Sequence, residues 1–244
     1  MGLFRRSVTY ITPGGRIARI YADLAAQHHL LIAGATGSGK SVALHGAITA
    51  TLYQSPARTQ YVLIAPKRVE LARYKGLPHT VTYASNPDNI ARALDQAISI
   101  METRYQEMQR ARITRYEGAD LYVIIDELAD LMTTDKKRVA PMIQRICQLG
   151  RAARVHLFAA TQCPLASVLP TAITCNLDSR LGLRTRNAQD SRNILGVSCC
   201  EKLPRYGQGY YMTADGIRLV DLPLIDDAET VRLISWCTSK HCRE

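Results

Sequence analysis

Gly34-Ala35-Thr36-Gly37-Ser38-Gly39-Lys40-Ser41 lies between the apolar run Leu30-Leu31-Ile32-Ala33 and the stretch Val42-Ala43-Leu44-His45-Gly46-Ala47-Ile48. That reads as a strand, a glycine loop and the start of a helix, and the loop fits G-x-x-x-x-G-K-[ST] at every specified position. At average residue frequencies the pattern arises by accident in about one chain of this length in a hundred, and the strand and helix around it make accident rarer still. Glycines let the backbone close around phosphate oxygens, while the loop amides and the helix N-terminus supply a positive dipole. The loop therefore predicts a triphosphate site. Lys40 would reach the β- and γ-phosphates of ATP, and the Ser41 hydroxyl would ligand Mg²⁺.

A second stretch supplies the chemistry. Leu121-Tyr122-Val123-Ile124-Ile125-Asp126-Glu127 is a buried strand that delivers two carboxylates at its C-terminal end, where open α/β sheets bind ligands. Asp126 is placed to hold the Mg²⁺ sphere, and Glu127 to take a proton from the attacking water. The strand Val155–Ala160 ends at Thr161-Gln162, whose amide is suited to sensing the γ-phosphate or the water. Arg151 sits at a helix end away from its own loop, so it could reach the nucleotide of a neighbouring subunit.

The 244 residues allow one substantial α/β domain. Hydrophobic content of 47% against 21% charged is ordinary for a globular chain. No apolar run approaches the length of a membrane helix, and Met1–Arg6 has no signal-peptide core; a cytoplasmic protein is expected. The seven cysteines are scattered. Neither Cys199-Cys200 nor Cys237…His241-Cys242 has the paired spacing of a zinc site. A net charge of +10 points to a polyanionic partner, most often nucleic acid. Lys136-Lys137-Arg138 is expected in a polar loop just beyond the acidic strand, where a DNA backbone could be contacted.

Along the chain, residues 9–21 read as lead-in strands around Pro13-Gly14-Gly15. Gln60–Ala65 is a buried parallel strand. Asn86 caps, and Pro87 opens, a long helix running to about Arg112, with Ile90, Leu94, Ala97, Met101, Tyr105 and Met108 on its packed face. Its other face, with Arg92, Glu102, Arg104 and Arg110, is expected to be solvated. Pro141 requires the first turn of its helix. Arg180–Leu183 is a strand, Asp190 opens a short helix, and Ala214-Asp215-Gly216 turns a hairpin ahead of a last helix from about Asp226. The expected fold class is α/β, a mostly parallel central sheet flanked by helices with a C-terminal β-hairpin and helix. Residues 1–20 would form the lead-in and 21–244 one domain.

Several words recur in a fixed order: Ala22-Asp23-Leu24, His29–Gly34 with the glycine loop, Pro66-Lys67-Arg68-Val69-Glu70-Leu71, Tyr74–His79, and Met101–Tyr105. They continue with Ile125–Met132, Arg151-Ala152-Ala153, Ala160-Thr161-Gln162 and Asp190-Ser191-Arg192. Together they resemble the motor domain of FtsK/SpoIIIE-type DNA translocases. The resemblance implies a RecA-like P-loop NTPase that uses ATP and Mg²⁺, assembles as a homo-oligomeric ring, usually a hexamer, and pulls double-stranded DNA through its centre. It implies that Arg151 acts in trans, that Gln162 is the sensor, that Arg180 is a second inter-subunit arginine, and that Lys136 and Lys137 face DNA. The chain departs from the family at Ala65, where Asp is usual, at Cys163 in place of Arg, and at Thr174 where Lys is common. Set beside the family, these residues hold no stretch that reads as a membrane helix, linker or orienting winged-helix module, so the expectation is a motor reduced to its ATPase core. A secretion ATPase of the same superfamily and a non-catalytic nucleotide-gated DNA-binding protein are the competing readings.

Overall fold

The computed structural model describes residues 8–11, 17–20, 28–162, 170–177, 179–222 and 227–238. Strands β1 (Val8–Ile11) and β2 (Ile17–Ile20) pair antiparallel as a separate ribbon. This matches the lead-in strands read around Pro13; the turn itself and Leu24 lie outside the described residues. The main body runs β3 (His29–Ala33), α1 (Lys40–Gln54), β4 (Thr59–Ile64), β5 (Thr80–Ala84), α2 (Pro87–Ala111), β6 (Asp120–Ile125), α3 (Leu128–Thr134) and α4 (Lys136–Leu149). It continues with β7 (Val155–Thr161), α5 (Thr171–Thr174), β8 (Ser179–Gly182), α6 (Ala188–Leu195), β9 (Gln208–Thr213), β10 (Gly216–Asp221) and α7 (Asp227–Thr238).

One eight-stranded sheet, in the order β10-β9-β8-β3-β7-β6-β4-β5, carries everything else. From β8 to β5 all neighbours are parallel, and β9 and β10 close that edge as the antiparallel hairpin read from Ala214–Gly216. The centre strands are buried on both faces, and their residues divide with period two, as strand geometry requires. Leu31, Val62, Val123, Ile125 and Leu157 pack under α2 and α4, against Leu94, Met101, Ile143 and Ile146. Leu30, Ile32, Leu63, Ile124 and Phe158 face the opposite layer, where Leu44, Ile48 and Leu52 of α1 meet Leu233 and Cys237 of α7.

Helix α2 begins as its sequence demands: Asn86 Oδ1 accepts from the Asn89 amide at 3.0 Å, and Pro87 occupies the first helical position. Three expectations need correction. Arg104 is not on a solvated face; it is 5% exposed, and its guanidinium donates to the carbonyls of Ala153 (2.8 Å) and Arg154 (3.0 Å). Lys136-Lys137-Arg138 do not form a loop but the first turn of α4, because α3 and α4 share Asp135 as a corner: its amide bonds Leu131 O and its carbonyl accepts from Val139. Pro141 is therefore sixth in α4, beyond the first turn, and gives up the bond to the carbonyl of exposed Lys137, which water can serve.

Candidate nucleotide site

The sheet order explains the site. The acidic strand β6 is not next to β3, since β7 lies between them. The tip of β7 therefore falls between the glycine loop after β3 and the carboxylates after β6, and that tip is Thr161-Gln162.

The loop is anchored at its base, where the Gly34 amide donates to Thr161 O (3.3 Å) and the Ala35 amide to Arg184 O (2.9 Å). Gly34 must be glycine, because a Cβ there would stand 2.6 Å from Ser38 Oγ and 2.8 Å from Leu183 Cβ. Gly37 and Gly39 take φ of 70° and 95°, a region other residues enter at a cost. Gly39 is the cap of α1, so the helix dipole points into the loop. Lys40 Nζ donates to the carbonyls of Gly34 (2.9 Å) and Ala35 (2.8 Å). Burial pushes its ammonium down to about 8, against the opposing pull of the Glu127 carboxylate. A triphosphate would offer this partly desolvated cation the charge that two carbonyls cannot.

Glu127 is 2% exposed and held through both oxygens: Lys67 Nζ sits 3.0 Å from Oε2, and the Gln162 amide donates to Oε1 at 3.0 Å. Thr36 Oγ1 at the loop crown in turn donates to Gln162 Oε1 at 2.8 Å. The glycine loop, Gln162, Glu127 and Lys67 thus form one hydrogen-bonded chain from four elements. Lys67 is the member that motif reading left without a role; its signal lay in the Pro66-Lys67 turn that ends β4.

Asp126 is treated differently. It is 9% exposed, and neither carboxylate oxygen has a hydrogen-bond partner among the described residues. Burial pushes its carboxyl up to about 7, with Lys67 resisting and Glu127 adding to the rise. A buried carboxylate with free oxygens is costly unless a cation arrives, so Asp126 fits the Mg²⁺ position read from sequence, with Ser41 at the start of α1 as the second ligand.

Other predicted residues are dispersed. Arg180 is turned inward; its guanidinium donates to Ile194 O (2.9 Å) and Thr174 O (2.6 Å), tying β8 to α5 and α6. Lys136, Lys137 and Arg138 are exposed near the carboxylate end of the sheet, with Arg138 3.4 Å from Asp88. Arg151 is exposed in the turn after α4, which leads into the start of β7. It lies at the opposite end of the strands from the glycine loop, a separation set by α4's fourteen residues, about 21 Å of helix. Cys163 lies outside the described residues.

A sequence model of the FtsK/SpoIIIE family matches residues 11–122 and 117–166. This chain belongs to that family, and so to the P-loop ATPases. It is 40% identical over 205 residues to a DNA translocase FtsK of Staphylococcus epidermidis, a match covering 75% of this chain and 26% of that protein. To the DNA translocase FtsK of Oceanobacillus iheyensis it is 34% identical over 244 residues, 91% of this chain and 31% of the relative. The chain thus spans between a quarter and a third of these curated relatives. Among solved structures it is similar to the cytoplasmic domain of the type VII secretion ATPase EccC of Thermomonospora curvata, at a TM-score of 0.76 and 25% identity over 94% of this chain and 31% of that one. It shares its fold with the pCW3 conjugation coupling protein TcpA with ATPγS, at a TM-score of 0.78 and 22% identity over 95% and 70% of the two chains. Among the described residues no helix is long and apolar enough to cross a membrane.

Proposed function

We propose that the chain is an ATP-driven double-stranded DNA translocase motor that works as a ring of identical subunits, with each ATP held between two copies. The observation that carries the reading is the separation of Arg151 from Lys40, Asp126 and Glu127 across the length of the sheet. An arginine so placed cannot serve its own nucleotide, but a head-to-tail ring brings one subunit's Arg151 end against the next one's glycine loop. The identity of 34–40% to DNA translocases supports DNA as the partner, as do the net charge of +10 and the exposed cations at the start of α4.

The chemistry follows from the site. Lys40 exchanges its two carbonyls for the β- and γ-phosphates, and the loop amides hold the triphosphate in line. When bound, Mg²⁺ would neutralise charge on the transferred phosphoryl group, held by Ser41 and Asp126. Glu127 takes the proton from the attacking water. Gln162 bonds both Thr36 and Glu127, so it reports the state of the loop crown to the base. Arg151 of the adjacent copy stabilises the charge that builds on the γ-phosphoryl oxygens, a contribution worth about 10³–10⁵ in rate in related systems.

The test is ATP turnover with and without linear duplex. Duplex should stimulate it, and both Lys40→Ala and Glu127→Gln should abolish it. Turnover that ignores DNA of every form and length overturns the reading. The likeness to EccC, also solved in complex with a signal sequence peptide, favours protein export as the alternative. Binding of such a peptide, with no affinity for duplex at moderate salt, would select it.

A further inference from the structure

Arg151 is not alone at its end of the sheet. It lines a cleft of about 320 Å³ together with His28, Tyr105, Arg115, Gln148 and Ala152. Two guanidiniums, Arg115 and Arg151, converge on this cleft, and both are exposed. Neither has a carboxylate or carbonyl partner among the described residues. Asp120, which acts on the cleft's His28, is already committed to Arg154 and to His156, whose Nε2 is 2.8 Å away. His28 adds no charge: burial first, then His156 and the two guanidiniums, push it down to about 4. The cleft therefore presents two exposed cationic side chains with no acidic partner among the described residues, a surface suited to an anion.

The two arginines are also held in place. The Tyr116 amide donates to Ala152 O at 2.9 Å, which fastens the loop carrying Arg115 to the turn carrying Arg151. Arg104 stacks over the Tyr116 ring at 4.6 Å while donating to the carbonyls of Ala153 and Arg154, so the buried cation noted above clamps both segments at once. Gly150 makes the turn possible, since a Cβ there would lie 2.2 Å from Val155 O. Arg112 takes φ of 55° as the left-handed C-cap that ends α2 ahead of the Arg115 loop, and Arg154 takes 54° in the turn before β7. The hydrogen bonds keep the backbone segments that carry Arg115 and Arg151 next to each other.

The geometry points to Arg115 as a second trans arginine: with Arg151 it forms a preset, two-pronged receptor for the triphosphate held on the glycine loop of a second copy of this chain. The inference rests on the head-to-tail ring proposed above and adds to it. Charge complementarity selects the occupant, because the opposite end of the sheet presents Asp126, Glu127 and a bound triphosphate to whichever copy lies next to it. Each planar fork can grip a phosphoryl group through two N–H donors, so a pair of them brings two positive charges to the γ-phosphate where a single arginine brings one.

The test uses full-length chains in mixtures. Arg115→Ala should bind a fluorescent ATP analogue like the unmodified chain, because its own glycine loop is untouched, yet turn ATP over at least about tenfold more slowly. Arg115→Lys keeps the charge without the fork and should recover part of that loss; thermal melts of both variants check that the loop still folds. Mixed one to one with Lys40→Ala, the Arg115→Ala chain should regain activity. About a quarter of the interfaces in such rings pair an intact glycine loop with an intact arginine cleft. The parallel mixture of Arg151→Ala with Lys40→Ala reports on the ring itself. Recovery there without recovery for Arg115→Ala overturns this inference alone. Silence in both mixtures overturns it together with the trans site, and unchanged turnover in Arg115→Ala overturns it outright.

Discussion

Asp126→Asn should make the nucleotide-free chain more stable and the ATPase inactive. The carboxyl is buried, both oxygens lack partners, and its folded value lies near 7 against 3.8 when exposed. Between those values the folded chain holds a proton that the unfolded chain has released, so stability falls as pH rises through the window and levels off above it. A difference of three units corresponds to about 4 kcal/mol at full ionisation. An amide at this position has nothing to ionise and escapes the penalty. Denaturant titrations in EDTA at pH 4, 5, 6, 7 and 8 should therefore show the variant and the unmodified chain close together at pH 4 and already about 1–2 kcal/mol apart at pH 5. By pH 8 they should stand a few kcal/mol apart, with the variant the more stable. A gap that does not change with pH, or an unmodified chain that is the more stable at pH 8, would refute the reasoning. It would mean that Asp126 already has a partner and is not waiting for a cation.

Three further outcomes follow from the packing. Arg104→Ala should cost about 2–4 kcal/mol in denaturant unfolding, since it strands the buried Ala153 carbonyl and the part-buried Arg154 carbonyl and empties the space under Tyr116. Gly34→Ala should lower the affinity for a fluorescent ATP analogue at least about tenfold, because the added methyl displaces Ser38 and the loop with it. Asn86→Ala should cost about 1 kcal/mol, read as a drop in melting temperature, with ATP binding unaffected.

Much of this was legible because its physics is local. The glycine loop, the acidic strand, the Asn86-Pro87 cap and the Gly216 turn each need particular residues at particular spacings, and each lies where it was read. β5 and α3 were not read: Thr80–Ala84 is a half-buried edge strand without an apolar run, and α3 is seven residues held by the fold around it. Periodicity misled at Arg104, because a charged residue on the far face of a helix is ordinarily solvated. Here the turn at residues 150–154 has carbonyls that only a long buried donor reaches. Lys67 was invisible for a related reason, since its ion pair with Glu127 joins segments far apart in sequence. The strand order, with β7 between the glycine loop and the acidic strand, is what turns Gln162 from an amide at a strand end into the bridge between Thr36 and Glu127.

The central claim is that half of each active site belongs to another copy of the chain. ATP turnover per subunit, measured against protein concentration with and without linear duplex, tests it most directly. The account predicts a rate that is near zero in dilute solution, climbs steeply as subunits associate, and stays flat in Arg151→Ala even though that variant still binds ATP. A per-subunit rate that is the same in dilute and concentrated solution would contradict it.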